Sequence, residues 1–112
     1  EDFNPRDVAN TLWAFATLDF RAPTFFAAAA KKTEEHFEAY SGQNVANTVW
    51  AFAKLNCTAP RLFEAIANTA EARLGDFSPQ NLVNIVWAFA TLDFRAPRFI
   101  KIVAVNAQER MD

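Results

Sequence analysis

One six-residue run dictates how this chain can fold, because the chain carries it three times. Trp13-Ala14-Phe15-Ala16-Thr17-Leu18 and Trp87-Ala88-Phe89-Ala90-Thr91-Leu92 are identical, and Trp50-Ala51-Phe52-Ala53-Lys54-Leu55 differs at one position. The tryptophans are spaced 37 residues apart both times. Phe3, Tyr40 and Phe77 precede them at a constant distance, as do Asn10, Asn47 and Asn84, and Pro23, Pro60 and Pro97 follow in register. A period in this range is the mark of a solenoid, in which each copy is one supersecondary unit and neighbouring copies supply each other's core.

Each unit reads as two helices. Asn4-Pro5, Ser41-Gly42 and Ser78-Pro79 place a capping side chain before the first helical residue, and proline there loses no N–H that the helix needs. The aromatic residue before each cap and the apolar residue five later (Phe3 and Val8, Tyr40 and Val45, Phe77 and Leu82) have the spacing of a hydrophobic staple. A first helix, A, then runs to about Leu18, Leu55 and Leu92. At about 100° per residue, Val8, Leu12, Phe15 and Ala16 share one arc with Ala9 and Trp13 on its shoulder, and Arg6, Asn10 and Thr17 form a polar stripe beside the tryptophan. A short corner leads to Pro23, Pro60 and Pro97, each suited to the first turn of a second helix, B. Phe25, Phe26, Ala29, Ala30, Thr33 and Phe37 have the period of an amphipathic helix, and so do their counterparts in the next two units. His36, Arg73 and Arg110 fall in the last turn of helix B, where a cation meets the negative end of the helix dipole. Gly75 is expected to cap the second helix B. The fold class is therefore all-α: an α-solenoid of three helical hairpins over residues 1–112, with units at about 3–39, 40–76 and 77–112, read as part of a longer array.

Composition narrows the function. With 52% apolar residues, twelve Phe and three Trp, the 112-residue chain is built to pack rather than to stay disordered. The net charge of −2 lacks the basic excess of a bulk phosphate binder but leaves room for a local groove. A single cysteine, Cys57, allows no internal disulfide. No apolar run reaches the ~20 residues of a membrane span, and no targeting segment opens the chain. Ser41 and Ser78 are caps without a base beside them, His36 stands apart from any ligand cluster, and Cys57 takes the place of Phe20 and Phe94. The expectation is no catalytic residue, no metal, no cofactor and no small-molecule substrate.

The run Phe77-Ser78-Pro79-Gln80-Asn81-Leu82-Val83-Asn84-Ile85-Val86-Trp87-Ala88-Phe89-Ala90-Thr91-Leu92 resembles the octotricopeptide repeat of algal organelle proteins. It is as similar to the related heptatricopeptide and RAP-domain repeats of protists. The resemblance extends over all three units. It implies an RNA-binding α-solenoid of a mitochondrion or chloroplast, acting in transcript stability, processing, translation or ribosome assembly. It also implies that variable positions near the start of helix A discriminate bases.

Candidate RNA contacts are thus Arg6, Asp7 and Asn10 in the first unit, Gln43, Asn44 and Asn47 in the second, and Gln80, Asn81 and Asn84 in the third. Short amides and charges can pair with base edges, one set per unit. The identical Asn10, Asn47 and Asn84 cannot discriminate, and an internal ladder to the neighbouring unit's backbone is the favoured reading for them. The tryptophans could stack on bases, but at helical spacing beside Ala and Phe they read first as packing. Three functions stay open: recognition of single-stranded or ribosomal RNA, a structural role among the proteins of a large organellar assembly such as a ribosome, and peptide binding along an Asn/Trp groove in the manner of armadillo scaffolds.

Overall fold

The computed structural model describes residues 3–111, so that Asp112, the last position of the third unit, lies outside the described residues. The chain folds into α1 (Pro5–Thr17), α2 (Pro23–Glu35), α3 (Gly42–Lys54), α4 (Pro60–Ala70), α5 (Pro79–Thr91) and α6 (Pro97–Met111). Short 3₁₀ turns at Phe37–Ala39 and Glu71–Asp76 join one hairpin to the next. No strand forms among the described residues. The expected all-α repeat architecture is what the chain adopts: α1, α3 and α5 make one layer, and α2 packs on α4 in a second, which α6 joins through the Glu71–Asp76 turn.

All three A helices start and stop by the same chemistry. Asn4, Ser41 and Ser78 accept the N3 backbone N–H, and the N3 side chains of Asp7, Asn44 and Asn81 accept the cap residue's own N–H, closing three capping boxes. At the other end, Leu18, Leu55 and Leu92 are C-caps, and the next residue turns left-handed: Asp19 (φ 55°), Asn56 (φ 54°) and Asp93 (φ 55°). Asp and Asn are among the few side chains that tolerate this region. The N–H groups of Phe20, Cys57 and Phe94 then reach back to the carbonyls of Phe15, Phe52 and Phe89, a Schellman closure. Its apolar contact is made by ring pairs, Phe15–Phe20 at 5.1 Å and Phe89–Phe94 at 4.9 Å. Gly75 does not cap the second B helix; it sits inside the 3₁₀ turn with no positive φ.

Burial at equivalent positions shows which way each A helix faces. Ala9 and Ala46 are buried but Val83 is exposed, and Ala16 and Ala53 are buried but Ala90 is exposed, so this side meets the following hairpin. Ala51 and Ala88 are buried but Ala14 only half so, and this side meets the preceding one. Small side chains on both flanks let the A helices lie close. Between the layers a chain of rings crosses every junction: Phe26 to Phe52 (5.0 Å), Phe52 to Phe63 (6.5 Å), Phe63 to Phe89 (5.3 Å) and Phe89 to Phe99 (5.6 Å).

Polar contacts repeat with the same 37-residue step. Arg73 donates to the carbonyls of Phe37 (3.3 Å) and Tyr40 (2.9 Å) and lies over the Phe37 ring, while Arg110 donates to the carbonyl of Leu74 (3.2 Å). These arginines therefore stitch one hairpin to the one before it, which is more than neutralising a helix end. On the outer layer Arg61 pairs with Glu34 (3.3 Å) and Arg98 with Glu71 (2.8 Å). Both pairs are solvated, so they set register more than stability.

Gly42 occupies the register position that proline fills in the other two units. It is buried, and a Cβ there would lie 2.5 Å from the carbonyl oxygen of Asp76 and 3.0 Å from the Phe77 ring. Gly42→Ala is expected to cost about 1–3 kcal/mol through overpacking. Gly75→Ala, with open space around it, leaves stability unchanged or raises it by up to about 1 kcal/mol. Urea denaturation of the two variants checks the contrast.

Candidate nucleic-acid interface

The central A helix, α3, is covered on three sides, by α1, by α5 and by its own B helix, while α1 and α5 each have one A helix beside them. One face stays open. Residues at i, i+4, i+7 and i+11 of a helix share a face, and here they are Arg6, Asn10, Trp13 and Thr17 on α1, Gln43, Asn47, Trp50 and Lys54 on α3, and Gln80, Asn84, Trp87 and Thr91 on α5. Stacking the helices turns these into four columns running across the molecule.

The tryptophan column differs from expectation. Trp13 and Trp87 are 47% and 44% exposed, and Trp50 is half-buried. No indole N–H bond forms among the described residues. Trp13 and Trp50 stack on each other across the α1–α3 joint, with centroids 6.2 Å apart and planes 28° from parallel. The packing read from the Ala and Phe neighbours is thus met by those neighbours; the tryptophan, seven residues after Arg6 and three after Asn10, lies with them on the open face.

The nine candidate contacts fall into three groups. Asp7, Asn44 and Asn81 are bound into the capping boxes, accepting from the backbone N–H of Asn4 (3.3 Å), Ser41 (3.2 Å) and Ser78 (3.0 Å). Asn81 is buried as well, and its amide N–H reaches the Gln43 side chain across the junction at 3.5 Å. Arg6, Gln43 and Gln80 are exposed on the open face. Asn10, Asn47 and Asn84 lie one turn further on. They do not form the expected ladder to neighbouring backbone. Instead Asn47 accepts from Gln43 (3.1 Å) and Asn84 from Gln80 (3.5 Å), each within its own helix. The i,i+4 spacing puts the two amides side by side on the solvent face, away from the adjacent unit's main chain. Both asparagine amide N–H₂ groups remain available to an outside acceptor.

Charge on this face departs from that of the whole chain. Its four columns contain Arg6 and Lys54 and no carboxylate, and the one acid within these three helices, Asp7, is engaged in its cap. Most other carboxylates lie on α2, α4, α6, the 3₁₀ turns and the corners, including Glu34, Glu35, Glu64 and Glu109. Elsewhere, burial pushes the Cys57 thiol up, with Arg21 opposing, so the thiol stays protonated. No group of three or more His, Cys, Asp or Glu side chains converges on one point among the described residues, and no described helix is long and apolar enough to cross a membrane.

Over residues 1–112 the chain matches the family described as RNA-editing substrate-binding complex 6 protein, and it belongs to that family. None of the curated proteins compared with it matches. The family match overturns the octotricopeptide and heptatricopeptide resemblance, and the mitochondrial or chloroplast placement drawn from that resemblance loses its basis. The reason lies in the motif. Small residues flanking a Phe are what any closely stacked A helix needs, so the Trp-Ala-Phe-Ala core reports the packing geometry and does not single out one family.

Capping and surface roles separate in a stability assay. Asn81→Ala is expected to lower unfolding free energy by about 0.5–2 kcal/mol through loss of the capping box. Gln80→Ala, on the open face, stays within about 0.5 kcal/mol of the parent chain. Equal losses for the two in chemical denaturation would contradict the assignment.

Proposed function

We propose that this member of the RNA-editing substrate-binding complex 6 protein family holds single-stranded RNA against the open face of α1, α3 and α5, as one component of an RNA-editing complex. The observation that carries the reading is the column of Trp13, Trp50 and Trp87 on a face that has two cations and no carboxylate. An aromatic face binds any unpaired base by stacking, worth about 1–3 kcal/mol per base. Trp13 and Trp87 have the free ring area for it. The Trp13–Trp50 pair presents a continuous platform across one joint, and the amide columns beside the rings face base edges with donors and acceptors.

The Gln43–Asn47 and Gln80–Asn84 bonds bear on selectivity. Each fixes an amide plane and leaves a defined N–H₂ outward. In the first unit Arg6 stands where the other two have Gln, so that unit contributes charge where they contribute hydrogen-bonding pattern. Arg6 and Lys54 are the phosphate contacts of this reading. Three units offer few base positions, which fits a chain that shares its RNA with other components of the assembly.

Two results test the proposal in a fluorescence-anisotropy titration with unstructured single-stranded RNA. Trp13→Ala and Trp87→Ala each weaken binding roughly 5- to 150-fold, the range set by one stacked base, while circular dichroism shows both variants folded, Trp13→Ala melting lower because it loses the stack on Trp50. The logarithm of affinity falls with the logarithm of salt with a slope of about −1 to −2, as two phosphate contacts on a single strand require. Unchanged affinity in both variants overturns the reading.

A further inference from the structure

Three side-chain amides meet where α3 lies against α5, and one backbone group sets the direction of all three. The N–H of Ser78 can only donate, so the Asn81 atom 3.0 Å from it is the carbonyl oxygen Oδ1. The Asn81 amide nitrogen is therefore the end that faces across the joint, where Gln43 Oε1 accepts from it at 3.5 Å. Gln43 Nε2 in turn donates to Asn47 Oδ1 at 3.1 Å. Turning over Gln43, alone or together with Asn47, would set its N–H₂ against that of Asn81. Turning over Asn47 alone would set two N–H₂ groups against each other at the next link. The orientation fixed at Ser78 is thus handed on to Asn47.

The consequence is a face with one hydrogen-bonding sense. Asn81 is buried at the start of this relay, whereas Gln43 is exposed and Asn47 half-buried on the open face. The carbonyl oxygens of Gln43 and Asn47 are each turned to an N–H, while the Asn47 N–H₂ and the second Gln43 N–H point to no acceptor among the described residues. Trp50 and Lys54 complete this face of α3, and neither side chain can accept a hydrogen bond. The α1–α3 joint lacks the relay. Arg6 stands there in the place of Gln43 and has no acceptor to offer the Asn44 amide.

We propose that this relay makes the second unit a reader that presents donors to a base edge, taking guanine through O6 and N7 and discriminating against adenine. The inference rests on the RNA-binding reading of the open face. A free asparagine or glutamine amide is suited to adenine, because it accepts from N6 while it donates to N7. In the second unit the accepting half of that pairing is occupied inside the protein. Two outward N–H groups match two neighbouring acceptors, and guanine O6 and N7 are such a pair, open to contact in an unpaired strand. Asn81 touches no base in this arrangement. It is a positioning residue that acts through Gln43.

Fluorescence-anisotropy titration of the whole chain with two RNAs tests this: a short oligouridine with one central guanine, and the same strand with adenine in its place. Both purines stack on an indole, so the ratio of the two affinities isolates the edge. The guanine strand is expected to bind roughly 5- to 150-fold tighter, the discrimination of one good bidentate pair. Asn81→Asp keeps the capping box, since a carboxylate closes the same box at Asp7, but it offers Gln43 an acceptor in place of the N–H₂. Gln43 and Asn47 then turn over, the Asn47 carbonyl faces outward, and the preference swings to adenine. A merely structural role for Asn81 would weaken both strands alike and leave the ratio in place. Gln43→Ala, an exposed change that spares the cap, frees Asn47 and brings the ratio near one. Equal binding of the two strands by the parent chain, or a guanine preference that survives either substitution, overturns the proposal and leaves the RNA reading standing. Binding of neither strand overturns both.

Discussion

Everything in this molecule depends on how closely one A helix lies against the next. The alanines on the two flanks of α3, Ala46 and Ala53 on one side and Ala51 on the other, are all buried, and longer side chains there would push neighbouring A helices apart. With the A helices in contact, the rings of the B helices interleave between them, and Phe26, Phe52, Phe63 and Phe89 form one unbroken aromatic chain. Gly42 marks the tightest point, where the Asp76 carbonyl of the next connection presses on the start of α3. Close packing here is a constraint on the backbone as much as a gain from buried area.

The same constraint makes the surface. A helix walled in on three sides, as α3 is, has one narrow face left, and the repeat carries whatever the sequence places at i, i+4, i+7 and i+11 into the same column on α1 and α5. The order of the columns, from Arg6/Gln43/Gln80 through the asparagines and tryptophans to Thr17/Lys54/Thr91, follows from helix geometry alone. The rigid spacing of half-exposed indoles is therefore a by-product of the packing that stabilises the fold. Function, in the reading proposed for this face, uses a surface that the core has already organised.

Much of this was legible in the residues. The 37-residue step, the proline at each B-helix start, the capping pairs and the apolar arcs are local signals, and each holds in the structure. The left-handed corner was visible only as an Asp/Asn/Asp column, because nothing local tells an αL position from an ordinary polar turn. Arg73 read as a helix-end cation; its real partners, the Phe37 and Tyr40 carbonyls, lie more than thirty positions back in the chain. The tryptophans misled for a related reason. A large ring next to Ala and Phe looks buried until one knows that neighbouring helices take up the other three sides. Asp7, Asn44 and Asn81 read equally well as base contacts or as caps, and only the reciprocal bonds of the capping boxes separate the two.

The central claim is that the indole column meets the RNA, and nuclear magnetic resonance addresses it most directly. The three indole N–H signals can be followed while a short unstructured single-stranded RNA is titrated into the isotope-labelled chain. The account predicts that signals of Trp13 and Trp87 shift together and saturate at one concentration, with backbone amides of α2, α4 and α6 unmoved. RNA that binds while the indole signals stay in place, or that perturbs the B helices instead, would contradict it.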